Sequence, residues 1–357
     1  MLGVAPQRNS LPDPVGFGST CHEEGVLVKA AIVGLGWWGQ LLVRHLQGRS
    51  ERIRFVRGVE VRPEPVRAFA AEKGFILTPE YQDALDDPEV EAVVLTSPQD
   101  LHEGQILRAA GAGKHVFCEK PIAMNRAAAE RAVVACECAG VILGVGHERR
   151  FEPAMIEIKR LIDSGELGSI LHVESNFSHD ILKDLPPDNW RVSDPFVPAG
   201  MTGMGIHLTD SYIHMLGPVE KVYAQPAWRV TGWKAGDIIS VSFKFKSGVT
   251  GHLNAILVTP FFMRYHVFGT EAWVEARDTV RPEAEGVVYF TVRRKGCEPV
   301  LKELPSINSV VANINAFAAA VAGEADYPFT REEKIGNIAV LEAIAQSVES
   351  GLPVTVS

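Results

Sequence analysis

The run Gly34-Leu35-Gly36-Trp37-Trp38-Gly39 has the G-x-G-x-x-G spacing, and the chemistry it suits is phosphate binding. Gly34 permits a tight turn, Gly36 lets an anion approach the backbone, and Gly39 allows close helix–strand contact. The N–H groups that open the following helix lack intrahelical partners and face that anion. An apolar β-branched run, Val26–Val33, precedes the glycines, and an amphipathic run, Gln40–Leu46, follows them. That strand–turn–helix setting is what a dinucleotide fingerprint requires. Glu60 closes the next strand-like run, Ile53–Val61. A carboxylate there accepts from the adenosine ribose 2′-OH and repels a 2′-phosphate, so NAD is expected over NADP. Arg62 is close enough to accommodate a phosphate, which leaves NADP open.

His207, Asp210 and His214 are spaced three and four apart and share a helix face, the spacing that brings metal ligands together. No further Cys or acid cluster completes a set, so no metal is expected. The five cysteines, Cys21, Cys118, Cys136, Cys138 and Cys297, are odd in number within a long chain. Free thiols in a reducing cytoplasm are the expectation.

These residues need elements to position them. Strand-like runs Val26–Val33, Ile53–Val61, Val90–Leu95, His115–Cys118 and Val141–Val145 alternate with helical runs Gln40–Leu46, Pro65–Lys73, Glu103–Ala110 and Arg126–Ala139. Alternation of this kind builds βαβ units on a parallel sheet. The fold class is therefore an α/β Rossmann domain (doubly wound, parallel) followed by an α+β domain with a large, mostly antiparallel, open-faced sheet. The second part has helices at Pro153–Ser164, His207–Leu216, Asn313–Ala322 and Arg331–Ser350. Its strands are expected at Ile170–Phe177, Val219–Ala224, Ile238–Phe245, Thr250–Val258, Arg264–Phe268, Ala272–Glu275 and Val287–Arg293. The expected division is a disordered extension over 1–25, a dinucleotide-binding domain over 26–147, and a substrate and oligomerisation domain over 148–357. Helix 331–350 is expected to pack back on the first domain. Thr96, Ser97, Pro98 and His102 follow the third strand, where open α/β sheets bind ligands.

Several segments together resemble the Gfo/Idh/MocA oxidoreductases, a family that includes glucose-fructose oxidoreductase and inositol dehydrogenases. Gly113-Lys114-His115-Val116-Phe117-Cys118-Glu119-Lys120-Pro121 is similar to the family's GKHV-x-x-EKP segment, and Thr96 to His102 to its TP-x-x-x-H loop. Arg150-Phe151-Glu152-Pro153 with Gly165 to Gly168, Trp190-Arg191, and Gly205-Ile206-His207-Leu208-Thr209-Asp210 resemble three further motifs. The resemblance runs from about residue 28 to 217. It implies that Lys120 bonds the substrate oxygen and helps move its proton, that His207 is the acid/base partner, and that nicotinamide C4 exchanges the hydride. The physical requirements agree, because alcohol oxidation sheds a proton as the hydride leaves. Thr96, Ser97, Pro98, His102 and Glu119 are placed near the cofactor with the glycine loop. Asp210 either orients His207 or serves as a core hydrogen-bond partner. Substrate-side candidates are His147, Arg149, His179, Trp190, Arg191 and His207. Arg150-Phe151 reads as an ion pair and core aromatic at the domain junction. The sequence departs from the family at Gly203, where dehydrogenases often carry an Asp four residues before the His.

The chain has 357 residues, 46% hydrophobic and 22% charged, with a net charge of -9. That balance fills globular cores and argues against nucleic-acid binding, which needs basic patches. No apolar run reaches the ~20 residues that span a bilayer. The expected protein is a cytoplasmic NAD(P)-dependent enzyme acting on a sugar, cyclitol or dihydrodiol-like substrate. It is expected to pair through the open sheet as a homodimer or homotetramer. Redox-assisted glycoside cleavage and non-catalytic dinucleotide sensing are the competing readings.

Overall fold

The computed structural model describes residues 26–194 and 197–357. The expected extension over 1–25, with Cys21, lies outside the described residues. The first sheet is built from β1 (Val28–Val33), β2 (Ile53–Val59), β3 (Ile76–Thr78), β4 (Ala92–Leu95), β5 (His115–Cys118) and β6 (Leu143–Val145). Between them run α1 (Trp37–Leu46), α2 (Arg67–Lys73), α3 (Tyr81–Asp86), α4 (His102–Gly111) and α5 (Arg126–Ala139). The spatial order is β3-β2-β1-β4-β5-β6, with every neighbouring pair parallel. Helices cover both faces, so the strands are near-continuous apolar runs; all four residues of β4 are buried. Gly74 and Gly140 end α2 and α5 in the left-handed conformation, where the missing Cβ removes the steric cost.

The sequence pattern leaves β3 and α3 unassigned, because elements of three and six residues are too short for periodicity to register. α1 also starts three residues earlier than the amphipathic run suggests, so Trp37 and Trp38 lie in its first turn rather than in a loop.

The second sheet has nine strands: β7 (Ile170–Ser178), β8 (Val219–Ala227), β9 (Ile238–Phe245), β10 (Thr250–Ile256), β11 (Phe262–Gly269), β12 (Ala272–Asp278), β13 (Gly286–Arg294), β14 (Val300–Ser306) and β15 (Val354–Thr355). Their order is β14-β13-β12-β11-β7-β10-β9-β8-β15, antiparallel throughout except between β7 and β10. Along β7, Val173, Ser175 and Phe177 point into the core while His172, Glu174 and Asn176 alternate onto the open face. β14 is an edge strand whose residues are mostly exposed, and so it carries no apolar alternation to betray it.

The remaining helices are α6 (Pro153–Asp163), α7 (Ile206–Leu216), α8 (Ser309–Val321) and α9 (Arg331–Ser350). α8 joins the first sheet: Val310, Ile314 and Phe317 share one core cluster with Val28, Phe55 and Phe117. α9 touches both parts. Arg331 pairs with Glu137 of α5, and the Ser347 hydroxyl accepts from Ala224 N of β8 at 2.9 Å. A π-helical turn, Met201–Gly205, leads into α7.

Candidate active site

Register aligns the site. Val59, Val33, Leu95, Cys118 and Val145 stand side by side at the carboxyl ends of five parallel strands. The residues that follow each strand therefore emerge along one edge: Glu60, the Gly34–Gly39 loop, Thr96-Ser97-Pro98, Glu119-Lys120, and His147-Glu148. An edge of this kind is where open α/β sheets hold ligands.

The three glycines have different reasons to be glycine. Gly34 has φ 90, and a Cβ there would lie 2.9 Å from Ser97 N. A Cβ on Gly39 would meet Gly34 O at 2.0 Å and Thr96 Oγ1 at 2.8 Å. Gly36 has an ordinary φ of -66, and a Cβ there would have no protein atom within 4 Å. Thr96 Oγ1 donates to Gly34 O at 2.5 Å and so ties the loop after β4 to the turn after β1. Gly36 caps α1 with no side-chain partner for the helix amides and no acid in its first turn. Open space beside free amides fits a pyrophosphate. Glu60 Oε2 accepts from Leu35 N at 2.9 Å and Oε1 from Arg62 N at 3.2 Å, which fixes the carboxylate against the loop. Trp37 is 57% exposed, and the Arg62 side chain is also in solvent. Trp38 packs behind Trp37, with ring centroids 5.5 Å apart. His102 is buried; its ring nitrogens lie 2.7 Å from Pro121 O and 3.0 Å from Ser97 O. It ties two site loops together and presents no free face to a cofactor.

Lys120 follows β5 and forms a cis peptide with Pro121. Its Nζ donates to Gly203 O at 2.8 Å and Thr202 O at 3.2 Å. Both carbonyls belong to the π-turn, whose widened i→i+5 pattern leaves backbone groups free to turn outward. Gly203 thus contributes its carbonyl. A Cβ there would meet only Leu182 Cδ1, at 4.0 Å, so the missing side chain leaves room. Burial pulls the Lys120 ammonium below its ordinary pKa and Arg191 adds to that, while Glu119 and Glu148 oppose it. Burial likewise holds the Glu119 carboxyl above its usual range.

His207 is buried on α7, edge-on to His147 with ring centroids 5.6 Å apart. Burial depresses its pKa far below the ordinary value, and Lys120, His147, Arg149 and His179 push the same way. His147 Nε2 accepts from Asn337 Nδ2 at 3.0 Å. That bond leaves the ring proton on Nδ1 in the neutral form, and burial lowers its pKa to about 4. Asp210 does not orient His207. Its two oxygens take the guanidinium of Arg150 in a buried fork, 2.8 Å from Nε and 2.7 Å from Nη2. Arg150 also stacks on Phe329 and bonds Glu333, which in turn holds His214. On a helix Asp210 and His207 share a face, but a cation 60 residues away claims the acid.

Arg149 is 0% exposed and pairs with Glu152 and Asp278 beneath the site, so its expected contact with substrate gives way to a role in the core. His179 stays at the site with its pKa lowered to about 4, first by burial and then by Lys120. The Arg191 guanidinium stacks 4.2 Å over Trp190, and both residues are exposed on the loop that borders the site. No motif flagged Glu148, which is buried with Oε2 3.3 Å from His207 Nδ1. Burial pushes its carboxyl up to about 7. Among the described residues no cluster of His, Cys, Asp and Glu forms a metal site.

Known proteins resemble this chain in sequence and fold. The family model for NAD-binding Rossmann-fold Gfo/Idh/MocA oxidoreductases matches residues 28–147, and the model for the Gfo/Idh/MocA C-terminal domain matches 155–275. Myo-inositol 2-dehydrogenase of Thermotoga maritima is 31% identical over 71% of this chain and 76% of its own. 1,5-anhydro-D-fructose reductase of Ensifer adhaerens is 28% identical over 80% of this chain and 85% of its own. Among solved structures, levoglucosan dehydrogenase with NADH and L-sorbose superposes with TM-score 0.80 at 18% identity, covering 93% of this chain and 99% of the other. At that identity the likeness is one of fold.

Proposed function

Because the chain belongs to the Gfo/Idh/MocA oxidoreductase family, we propose that it oxidises a secondary hydroxyl of a sugar, cyclitol or dihydrodiol-like substrate with NAD, or reduces the matching carbonyl. The observation that carries this reading is Lys120, half-buried beyond β5 on the strand-end edge that also carries the glycine loop. The nicotinamide ring, when bound, supplies the hydride acceptor or donor. Two of the three ammonium donors of Lys120 are committed to Thr202 O and Gly203 O. The third remains for a substrate oxygen. With its pKa lowered, Lys120 can release or take a proton nearer neutral pH than an exposed lysine. His207, held neutral by burial, can accept the hydroxyl proton as the hydride departs. Glu60 favours NAD because its fixed carboxylate repels a 2′-phosphate.

Supporting the substrate class are the relatives that act on inositol and anhydrofructose. The test is NADH formation at 340 nm with NAD+ or NADP+ and a panel of myo-inositol, scyllo-inositol, D-xylose and levoglucosan. Turnover with at least one polyol, lost in Lys120→Met while NADH still binds, is the expected result. A Lys120→Met protein as active as the wild type would overturn the role of the lysine.

The open face of the second sheet carries His172, Arg264, His266, Phe268 and Trp273, with Arg264 Nε and His266 Nε2 buried and unpartnered. A second copy of the chain is proposed to cover this face, giving a homodimer or homotetramer. A monomer in sedimentation at micromolar concentration would contradict it. No described helix is long and apolar enough to cross a membrane, and Cys118, Cys136, Cys138 and Cys297 are free thiols. The proposed location is the cytoplasm, where thiols stay reduced.

A further inference from the structure

His207 has an unresolved need. Its Nδ1 is buried and has no hydrogen-bond partner, a state that costs about 1–3 kcal/mol. Asp210, on the same helix face, is taken by Arg150. Glu152 and Asp278 are taken by Arg149. The carboxylate that reaches the ring is Glu148, whose Oε2 is 3.3 Å from Nδ1. It stands at the start of the short 3₁₀ segment Glu148–Phe151, directly beyond β6. No side chain among the described residues hydrogen-bonds Glu148, so its carboxylate is free to turn toward Nδ1.

We propose that Glu148 is the positioning residue of His207, fixing the imidazole proton on Nδ1 so that Nε2 is the nitrogen that exchanges protons. This rests on the dehydrogenase reading for its functional consequence, and on geometry alone for the pairing. The step balances without another reactant: a proton arriving at Nε2 makes an imidazolium, and its Nδ1–H then donates to the Glu148 carboxylate, which neutralises the charge. When the proton leaves Nε2 the pair returns to its starting state. The groups facing the pair are Glu119, Lys120, His147, Arg149 and His179. The adjoining network holds four acids, Glu119, Glu148, Glu152 and Asp278, against three cations, Lys120, Arg149 and Arg191, the last acting on Glu119 and Lys120. Burial pushes the Glu152 carboxyl up to about 8, so the network holds a proton there near neutral pH and Glu148 can serve as the carboxylate.

The test has two arms. The first is ¹⁵N-histidine NMR of the full chain, with His207 assigned by its loss in His207→Asn. A ring proton on Nδ1 in the wild type, redistributed in Glu148→Gln and kept in Glu148→Asp, is expected. A ring protonated on Nε2 in the wild type, or unchanged by Glu148→Gln, overturns the pairing. This arm needs no turnover and does not depend on the proposed reaction. The second arm uses whichever of myo-inositol, scyllo-inositol, D-xylose and levoglucosan the wild type oxidises. There Glu148→Gln lowers kcat about 10²-fold, leaves KM and NADH affinity within about twofold of wild type, and shifts the pH profile of kcat. An unchanged kcat and pH profile overturns the proposal. A wild type that binds NADH yet oxidises none of the four polyols counts against the dehydrogenase reading, and the first arm alone then decides the pairing.

Discussion

Gly36→Ala and Gly39→Ala should fail in opposite ways. At Gly36 the backbone is in a conformation any residue adopts, and a Cβ would touch no protein atom within 4 Å. Replacing glycine there also restricts the unfolded chain, which stabilises by about 0.4–1 kcal/mol. Folding is therefore preserved, and Tm rises by roughly 1–3 °C. The new methyl instead occupies the space beside the α1 amides where a pyrophosphate would sit. Losing one charge-assisted hydrogen bond costs about 1.5–3 kcal/mol, which weakens the NADH Kd by about 10- to 150-fold. At Gly39 the methyl would sit 2.0 Å from Gly34 O, so the helix and turn must separate. Overpacking of this kind costs about 1–3 kcal/mol or more, and Tm falls. NADH fluorescence titration and thermal unfolding of both variants separate the two effects. A Gly36→Ala protein that binds NADH as the wild type does would refute the placement of the pyrophosphate.

Further outcomes follow from other parts of the site. Glu60→Ser should weaken NADH about tenfold and narrow the preference over NADPH, read by parallel titrations; an unchanged ratio would remove Glu60 from cofactor selection. Asp210→Ala should lower stability by about 3–5 kcal/mol in denaturant unfolding, because it strips a buried partner from Arg150. NADH affinity of the folded variant should stay as in wild type. His147 is neutral in the fold, with its pKa lowered to about 4 by burial. The unfolded chain takes the proton first, so the stability due to neutral His147 is present above its ordinary value and lost as pH falls from about 6.5 toward 4. The stability advantage of wild type over His147→Asn should shrink across that window, and an advantage constant with pH would contradict the assignment.

What was legible in the sequence was what local chemistry dictates. The glycine loop, the strand before it and Glu60 after it form one short unit whose residue types answer to turn geometry and phosphate approach. Long periodic helices such as Arg331–Ser350 emerged with the same bounds in sequence and structure. The partnerships across the chain were not legible. Asp210 reads as a neighbour of His207 until Arg150 claims it, and Arg149 reads as a pocket cation until Glu152 and Asp278 draw it under. Glu148 sits in no motif, and only the fold brings it to His207. α8 lies more than 160 residues from β6, yet its Asn313 donates to Val145 O at 2.8 Å and so completes the first domain. β14, exposed over most of its length, lacks the burial that writes a pattern into a strand.

The most direct measurement is a crystal structure of the protein with NADH. The pyrophosphate is expected on the amides beside Gly36, the adenosine ribose on Glu60, and the nicotinamide against Lys120. Dinucleotide bound elsewhere, or a nicotinamide far from the Lys120 ammonium, would contradict that placement.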